Sequence, residues 1–96
     1  MILHTVKTSP LQTFALADCL NYLAQDDALL LIEDAVIASH IQLDHLPSLQ
    51  TLSNEGRLWV LQEDLTARGA THNIATACNY QGFVELTIKY HSHLAW

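Results

Sequence analysis

Hydrophobic and polar positions follow two different rhythms along the chain, and the switches between them mark out its elements. Ile2–Val6 is a short strand-like run, and Thr8-Ser9-Pro10 after it carries helix-start chemistry. Ser9 can cap, Pro10 suits a first helical turn, and Gln12 completes a capping-box spacing. A first helix is expected from there to about Ala24, because Leu16, Cys19, Leu20 and Leu23 recur at three- and four-residue spacing. Asp26-Asp27 ends it. Ala28–Ile32 is then continuously apolar, as expected of a strand covered on both faces in a parallel sheet. Asp34 is placed to cap a short helix over Ala35–Ser39, and a second helical stretch should run from near Pro47 to Gly56. Arg57–Gln62 predicts a third strand, after which Glu63-Asp64 caps a brief helical turn that stops at Gly69. A weaker strand over about Ile74–Cys78 leads into a last helix from about Tyr80 to Tyr90, with Phe83, Leu86 and Tyr90 on one face. Ser92–Trp96 closes the chain.

Strands alternating with helices imply right-handed βαβ crossovers and a mainly parallel, helix-covered sheet of four to five strands. Residues 1–96 are enough for one hydrophobic core and are expected to form a single domain, with no linker, repeat or low-complexity tract. Composition adds a reason for partners. Half of the residues are hydrophobic and only 15% are charged, against about 25% in average soluble domains. A small domain has much surface for its volume, so a chain this apolar must expose apolar patches or cover them by association.

The net charge of −6 sets ten carboxylates against Lys7, Arg57, Arg68 and Lys89, which form no stripe. Clustered cations are what neutralise phosphates, so direct nucleic-acid binding is not expected. Cys19 and Cys78 lie far apart without a Cys-x-x-Cys, which argues against a redox pair, a zinc ribbon or a disulfide scaffold and fits a reducing cytoplasm. The longest apolar stretches, Ala28–Ile32 and Ala35–Ala38, are too short to span a bilayer, and no secretory pattern opens the chain.

Several blocks in order resemble the TusB/DsrH family, the smallest-subunit type among DsrE/DsrF/DsrH-like proteins. Leu3-His4-Thr5-Val6-Lys7-Thr8-Ser9-Pro10 is similar to the family's Leu-His-Thr-x-x-x-Ser-Pro opening, and Asp27–Val36 to its apolar strand followed by Asp-Gly-Val, with Ala35 in place of the usual Gly. Glu63-Asp64-Leu65-Thr66-Ala67-Arg68-Gly69 resembles its Asp-Leu-x-Ala-Arg-Gly block, and Tyr80–Thr87 its Tyr-x-x-Phe-Val-x-Leu-Thr, with Asn79 where Asp is common. Ala95-Trp96 also fits. The resemblance implies a three-layer α/β sandwich of the DsrE/F/H and flavodoxin-like kind. It also implies a heterohexamer, a dimer of trimers with TusC- and TusD-type subunits, that passes persulfide sulfur toward 2-thiolation of the tRNA wobble uridine. A related complex serves sulfur oxidation. In that scheme the sulfur-carrying cysteine belongs chiefly to the TusD/DsrE-type subunit, which leaves this type of chain mainly structural, with homodimerisation open for the isolated chain.

Read from the residues alone, Cys19 lies deep in the first helix beside Asp18, toward the end where the helix dipole opposes negative charge; a buried small hydrophobe is the simpler reading. Cys78, at a strand end just before a helix that Asn79 could cap, is better placed for a thiolate, yet nothing basic adjoins it. These two are the persulfide candidates. Six histidines, His4, His40, His45, His72, His91 and His93, are many for this length, and His91-x-His93 with Asp44-His45 could chelate zinc, although packed or solvated histidines explain them more simply. Glu33, Asp34, Glu63 and Asp64 should gather at the carboxyl edge of the sheet, where acid/base work is conceivable and helix capping is the plainer role. Gly56, Gly69 and Gly82 are isolated and build no phosphate loop, so neither a nucleotide cofactor nor a resident metal is expected. Two other classes of function stay open: a persulfide-carrying subunit and a small-ligand or metal-binding α/β module. Trp96 either packs on its own domain through an edge strand or is covered by a partner.

Overall fold

A computed structural model describes residues 1–39, 46–69 and 74–96. Five strands, β1 (Ile2–Val6), β2 (Ala28–Leu31), β3 (Leu58–Leu61), β4 (Thr76–Cys78) and β5 (Ser92–Ala95), form one wholly parallel sheet in the order β4-β3-β2-β1-β5. Between them run α1 (Ala15–Tyr22), a 3₁₀ segment (Glu33–Ser39), α2 (Leu46–Asn54), α3 (Gln62–Ala67) and α4 (Tyr80–Lys89). The steps from β1 through β4 all go one way across the sheet, so right-handed crossovers place their helices on one face. The step from β4 to β5 runs the opposite way and places α4 on the other. The sheet is thus the middle of three layers, as the alternation of elements predicted.

The two cores follow this division. Leu29 and Leu31 point into the larger one with Val6, Leu16, Cys19, Leu49, Leu58, Val60 and Leu65; Ala28 and Leu30 point into the smaller one with Leu3, Leu86 and Tyr90. All four β2 side chains are fully buried, which explains why β2 reads as an unbroken apolar run. Each such leucine contributes about 2 kcal/mol from burial. In β1 the alternation sends Leu3 to the α4 face and Val6 to the α1 face, and the fully buried side chain between them in sequence is His4.

Several helix ends form as their residues dictate. At the end of α2, the Arg57 N–H bonds the Leu52 carbonyl at 2.9 Å and the Gly56 N–H that of Ser53 at 3.1 Å, with Gly56 at φ 71°. That is a Schellman ending, which needs the left-handed residue that glycine supplies most readily. Asn79 caps α4 by accepting from Gly82 N–H at 2.8 Å.

Others differ from expectation. Ser9 does not start a helix: its Oγ accepts from Leu11 N–H at 3.1 Å and its carbonyl from Gln12 and Thr13, which closes a turn. The serine is consumed locally, so α1 begins only at Ala15, and Leu11 and Phe14 are left exposed. The helix also ends early, since Leu23 turns extended and Asp27 Oδ2 captures Ala24 N–H at 3.0 Å. Asp34 and Asp64 lie within the first turns of the 3₁₀ segment and α3 instead of capping them, and Arg68 claims both. The short helix expected after β2 forms as a 3₁₀ segment that starts two residues early, at Glu33, and β4 begins at Thr76 rather than near Ile74.

Candidate functional site

In an open parallel sheet, ligands favour the carboxyl end of the strands where neighbouring connections leave toward opposite faces. Here β3 feeds α3 on one face and β4 feeds α4 on the other, so that point lies between Leu61 and Cys78, which are paired in register. Cys78 is half-buried there. Its side chain faces a shallow cleft of about 200 Å³ lined by Trp59, Cys78, Gly82, Glu85, Leu86 and Lys89. A Cβ on Gly82 would come within 2.9 Å of Cys78 Cβ, so this glycine lets the first turn of α4 pass close over the cysteine. The electrostatics do not favour a thiolate. Burial, and then the carboxylate of Glu63, push the Cys78 thiol above its ordinary value. Glu63 itself is turned to structural use, its Oε2 accepting from Tyr80 N–H at 3.2 Å.

Cys19 is further from reactivity. It is fully buried in the larger core, and burial together with the charge of Asp27 pushes its thiol up to about 12. The small-hydrophobe reading describes its environment.

At the carboxyl edge Arg68 holds Asp34 and Asp64, backbone N–H groups bond Asp64 and Glu63, and Glu33 contributes its N–H rather than its exposed carboxylate. Asp34 accepts from Arg68 Nε at 3.0 Å and Nη2 at 2.9 Å, while Asp64 lies 3.6 Å from Nη1 and accepts from Glu33 N–H at 2.6 Å. Glu33 is the one non-glycine residue with positive φ among the described residues, at 50°. The left-handed backbone costs about 1–2 kcal/mol for a residue with a Cβ, and the charge-assisted bond to Asp64 offsets part of it. This cluster ties the 3₁₀ segment to α3; with Arg68 among them, the carboxylates form a clamp rather than an acid/base pair.

Among the described residues no three His, Cys, Asp or Glu side chains gather as a metal site. His93 Nε2 lies 2.7 Å from the Tyr90 carbonyl and 3.0 Å from that of Thr87, so it must carry a proton and donate, closing the end of α4. His91 is exposed. His40, Asp44, His45 and His72 fall outside the described residues.

A buried polar group forms around Asp27, and the sequence did not announce its assembly. Asp27, 1% exposed, accepts from Ile2 N–H at 2.9 Å, Ala24 N–H at 3.0 Å and the His4 ring at 2.8 Å. Burial pushes its carboxyl up, but the hydrogen bonds from His4, Ala24 and Ile2 outweigh that and hold it below the ordinary carboxylate value. Arg57 fastens the same loop, with Nε 2.6 Å from the Asp27 carbonyl and Nη2 2.6 Å from that of Ala24. On the other side of His4, Nδ1 accepts from the Trp96 indole at 3.0 Å. Trp96 therefore packs on its own domain: β5 docks beside β1, the Trp96 N–H bonds the Thr5 carbonyl at 2.9 Å, and the indole stacks on His4 and meets Tyr22 edge-on. The one local hint was a polar His4 in an otherwise buried strand.

No helix among the described residues is long and apolar enough to cross a membrane. Residues 8–93 match the family model described as DsrH like protein. The chain is similar over 99% of its length to the whole of proteins named Protein TusB: 38% identical in Escherichia coli (strain ED1a), 39% in Escherichia fergusonii and 37% in Yersinia pestis (strain Pestoides F). In fold it is similar to a protein of unknown function from Methanobacterium thermoautotrophicum, with a TM-score of 0.64 at 10% identity, over 99% of this chain and 96% of that one.

Proposed function

The chain belongs to the DsrH-like family, and from that premise we propose that it is a structural, non-catalytic subunit of a TusBCD-like sulfur-relay complex. In this reading residues 1–96 act as one cytoplasmic domain, and TusC- and TusD-type subunits complete a heterohexamer, a dimer of trimers. Persulfide sulfur passes on the partners' cysteines toward 2-thiolation of the tRNA wobble uridine. The tRNA is held by another subunit, because this chain carries a net charge of −6 with only four Lys and Arg.

The observation that carries the reading is the state of the two thiols. A sulfur carrier works as a thiolate, which nearby cations or a helix dipole must stabilise. Cys19 is sealed in the core and Cys78 sits beside a carboxylate, and both are pushed toward the neutral thiol. Apolar side chains left on the surface support association: Phe14 is 82% exposed, and Tyr80, Val84 and Ile88 form an exposed stripe along α4. Co-expression with TusC- and TusD-type partners should give a stoichiometric complex. Recovery of a stable monomer that ignores both partners overturns the proposal.

One observation favours a second reading, in which the chain carries sulfur itself on Cys78. That cysteine lies at the point between β3 and β4 where connections diverge, half-buried under a glycine that leaves it room. Mass spectrometry after incubation with a persulfide donor, partners present, distinguishes the two. A gain of one sulfur atom that vanishes in Cys78→Ser supports the carrier, and unmodified protein rejects it.

A further inference from the structure

His4 stands between two groups that dictate its proton. The indole Nε1–H of Trp96 is a donor only, so the His4 Nδ1 it meets at 3.0 Å must present a bare lone pair. The ring hydrogen then sits on Nε2 and is donated to Asp27 Oδ2 at 2.8 Å. This neutral imidazole is fully buried. The side chains of Trp96 and Tyr22 close over it, with ring centroids 6.1 and 5.8 Å from that of His4 and 5.5 Å from each other.

We propose that this arrangement is a proton-operated latch: uptake of a proton by His4 at Nδ1 releases the Trp96 indole and opens the aromatic surface formed by His4 and Tyr22 beneath it. The proton comes from solvent and goes to the ring's one unprotonated nitrogen, Nδ1, taking the lone pair that the indole N–H had been using. Nε2–H stays on Asp27, so the imidazolium remains paired with a carboxylate, while the new Nδ1–H points at the indole N–H. Two donors then face each other and the bond is lost. The main-chain pairing of β5 with β1, including Trp96 N–H to Thr5 O, involves no titrating group. The indole therefore swings out while the strand stays. Among the described residues, the charged and titratable groups near the ring and its carboxylate are Asp27, the Met1 ammonium 3.8 Å from Asp27 Oδ1, the Tyr22 phenol, the Cys19 thiol that feels the charge of Asp27, and Arg57 on the Asp27 carbonyl. Asp27 is the only one that bonds the ring directly; its carboxylate form is what the imidazolium requires.

The full-length chain carrying Trp59→Phe leaves Trp96 as its only tryptophan. Lowering the pH from 8 to 5, the range in which imidazoles take up a proton, should shift Trp96 emission to the red and raise its quenching by acrylamide, with unchanged far-UV circular dichroism. His4→Gln in the same background should abolish the transition, since an amide can donate to Asp27 and accept from the indole without titrating. Ring ¹⁵N NMR of the wild-type protein should place the hydrogen on Nε2 at pH 8 and show His4 titrating with the same midpoint as the emission change. The proposal is overturned by a hydrogen on Nδ1, by midpoints that differ, by a transition that survives His4→Gln, or by a transition that coincides with loss of secondary structure or never precedes it. Should His4→Gln fail to fold, the tautomer and the two midpoints decide the matter without it.

Discussion

Replacing Asp27 with alanine should be the most damaging single change available outside the apolar core. The carboxylate satisfies three donors, the fully buried His4 ring and the partly buried Ile2 N–H and Ala24 N–H. A buried donor left without its acceptor costs about 1–3 kcal/mol, and the three share one acceptor, so their losses overlap and the sum should fall near 3–5 kcal/mol. A domain of this size has about 5–10 kcal/mol in all. At about 4–8 °C per kcal/mol, melting should drop by roughly 12–40 °C. Asp27→Asn keeps one acceptor oxygen and should lose only about 1–2 kcal/mol. The acid dependence has a definite sign. The Asp27 pKa is lowered in the folded state, so its contribution is present above the ordinary carboxylate value of 3.8 and is lost as pH falls through the lowered value. Urea titrations at neutral pH and across the acid range, on wild type and both variants, measure all of this. An alanine variant within about 1 kcal/mol of wild type at an unchanged denaturant slope, or one whose acid profile matches that of wild type, refutes the reasoning.

The remaining predictions follow from single contacts. Cys19, pushed up to about 12, holds its proton more tightly folded than unfolded, so stability should fall as pH rises from about 9 toward 12; Cys19→Val should flatten that decline, which chemical denaturation at alkaline pH can follow. In native protein near neutral pH, iodoacetamide should modify half-buried Cys78 well before Cys19, read as mass gain on the two peptides. Glu33→Gly relieves a left-handed backbone at φ 50° and keeps the N–H bonded to Asp64, so the unfolding free energy from urea titration should be unchanged or up to about 1 kcal/mol higher; a clear loss argues against strain there. Gly82→Ala should lower stability by about 1 kcal/mol even though alanine is the better helix former. Its Cβ would meet Cys78 Cβ at 2.9 Å, and a gain in melting temperature contradicts that contact.

Elements written in local periodicity were legible. The unbroken Ala28–Ile32 run, which forms a strand over Ala28–Leu31, the glycine ending α2, the Asn79 cap and the Phe83/Leu86/Tyr90 face of α4 each depend on neighbours within a turn or two, and each formed. Misreadings arose where a residue had two local uses or a distant partner. Ser9 can cap a helix or close a turn with equal chemistry, and the turn won. Asp34 and Asp64 had the spacing of caps, but Arg68 reaches Asp34 across 34 positions, a contact that no window along the chain reveals. The contacts of the two cysteines were likewise beyond local reading: that Glu63 influences Cys78 and Asp27 influences Cys19 depends on packing of elements. Least legible was the His4 group, since Asp27 and Trp96 lie 23 and 92 positions away and meet only because β2 and β5 flank β1.

That last placement also governs when the sheet can be finished. β1 is made first and lies inside the sheet, between β2 and β5, yet β5 is the last of the five strands to leave the ribosome. Throughout synthesis of the intervening residues one side of β1 offers bare N–H and C=O groups, an edge onto which another nascent chain can add. Closing it joins positions about 90 apart, a high-contact-order step that should come late in folding. Translation pausing or truncation ahead of Ser92 should thus yield aggregation-prone chains, even though the β2–β3–β4 half of the sheet is already made.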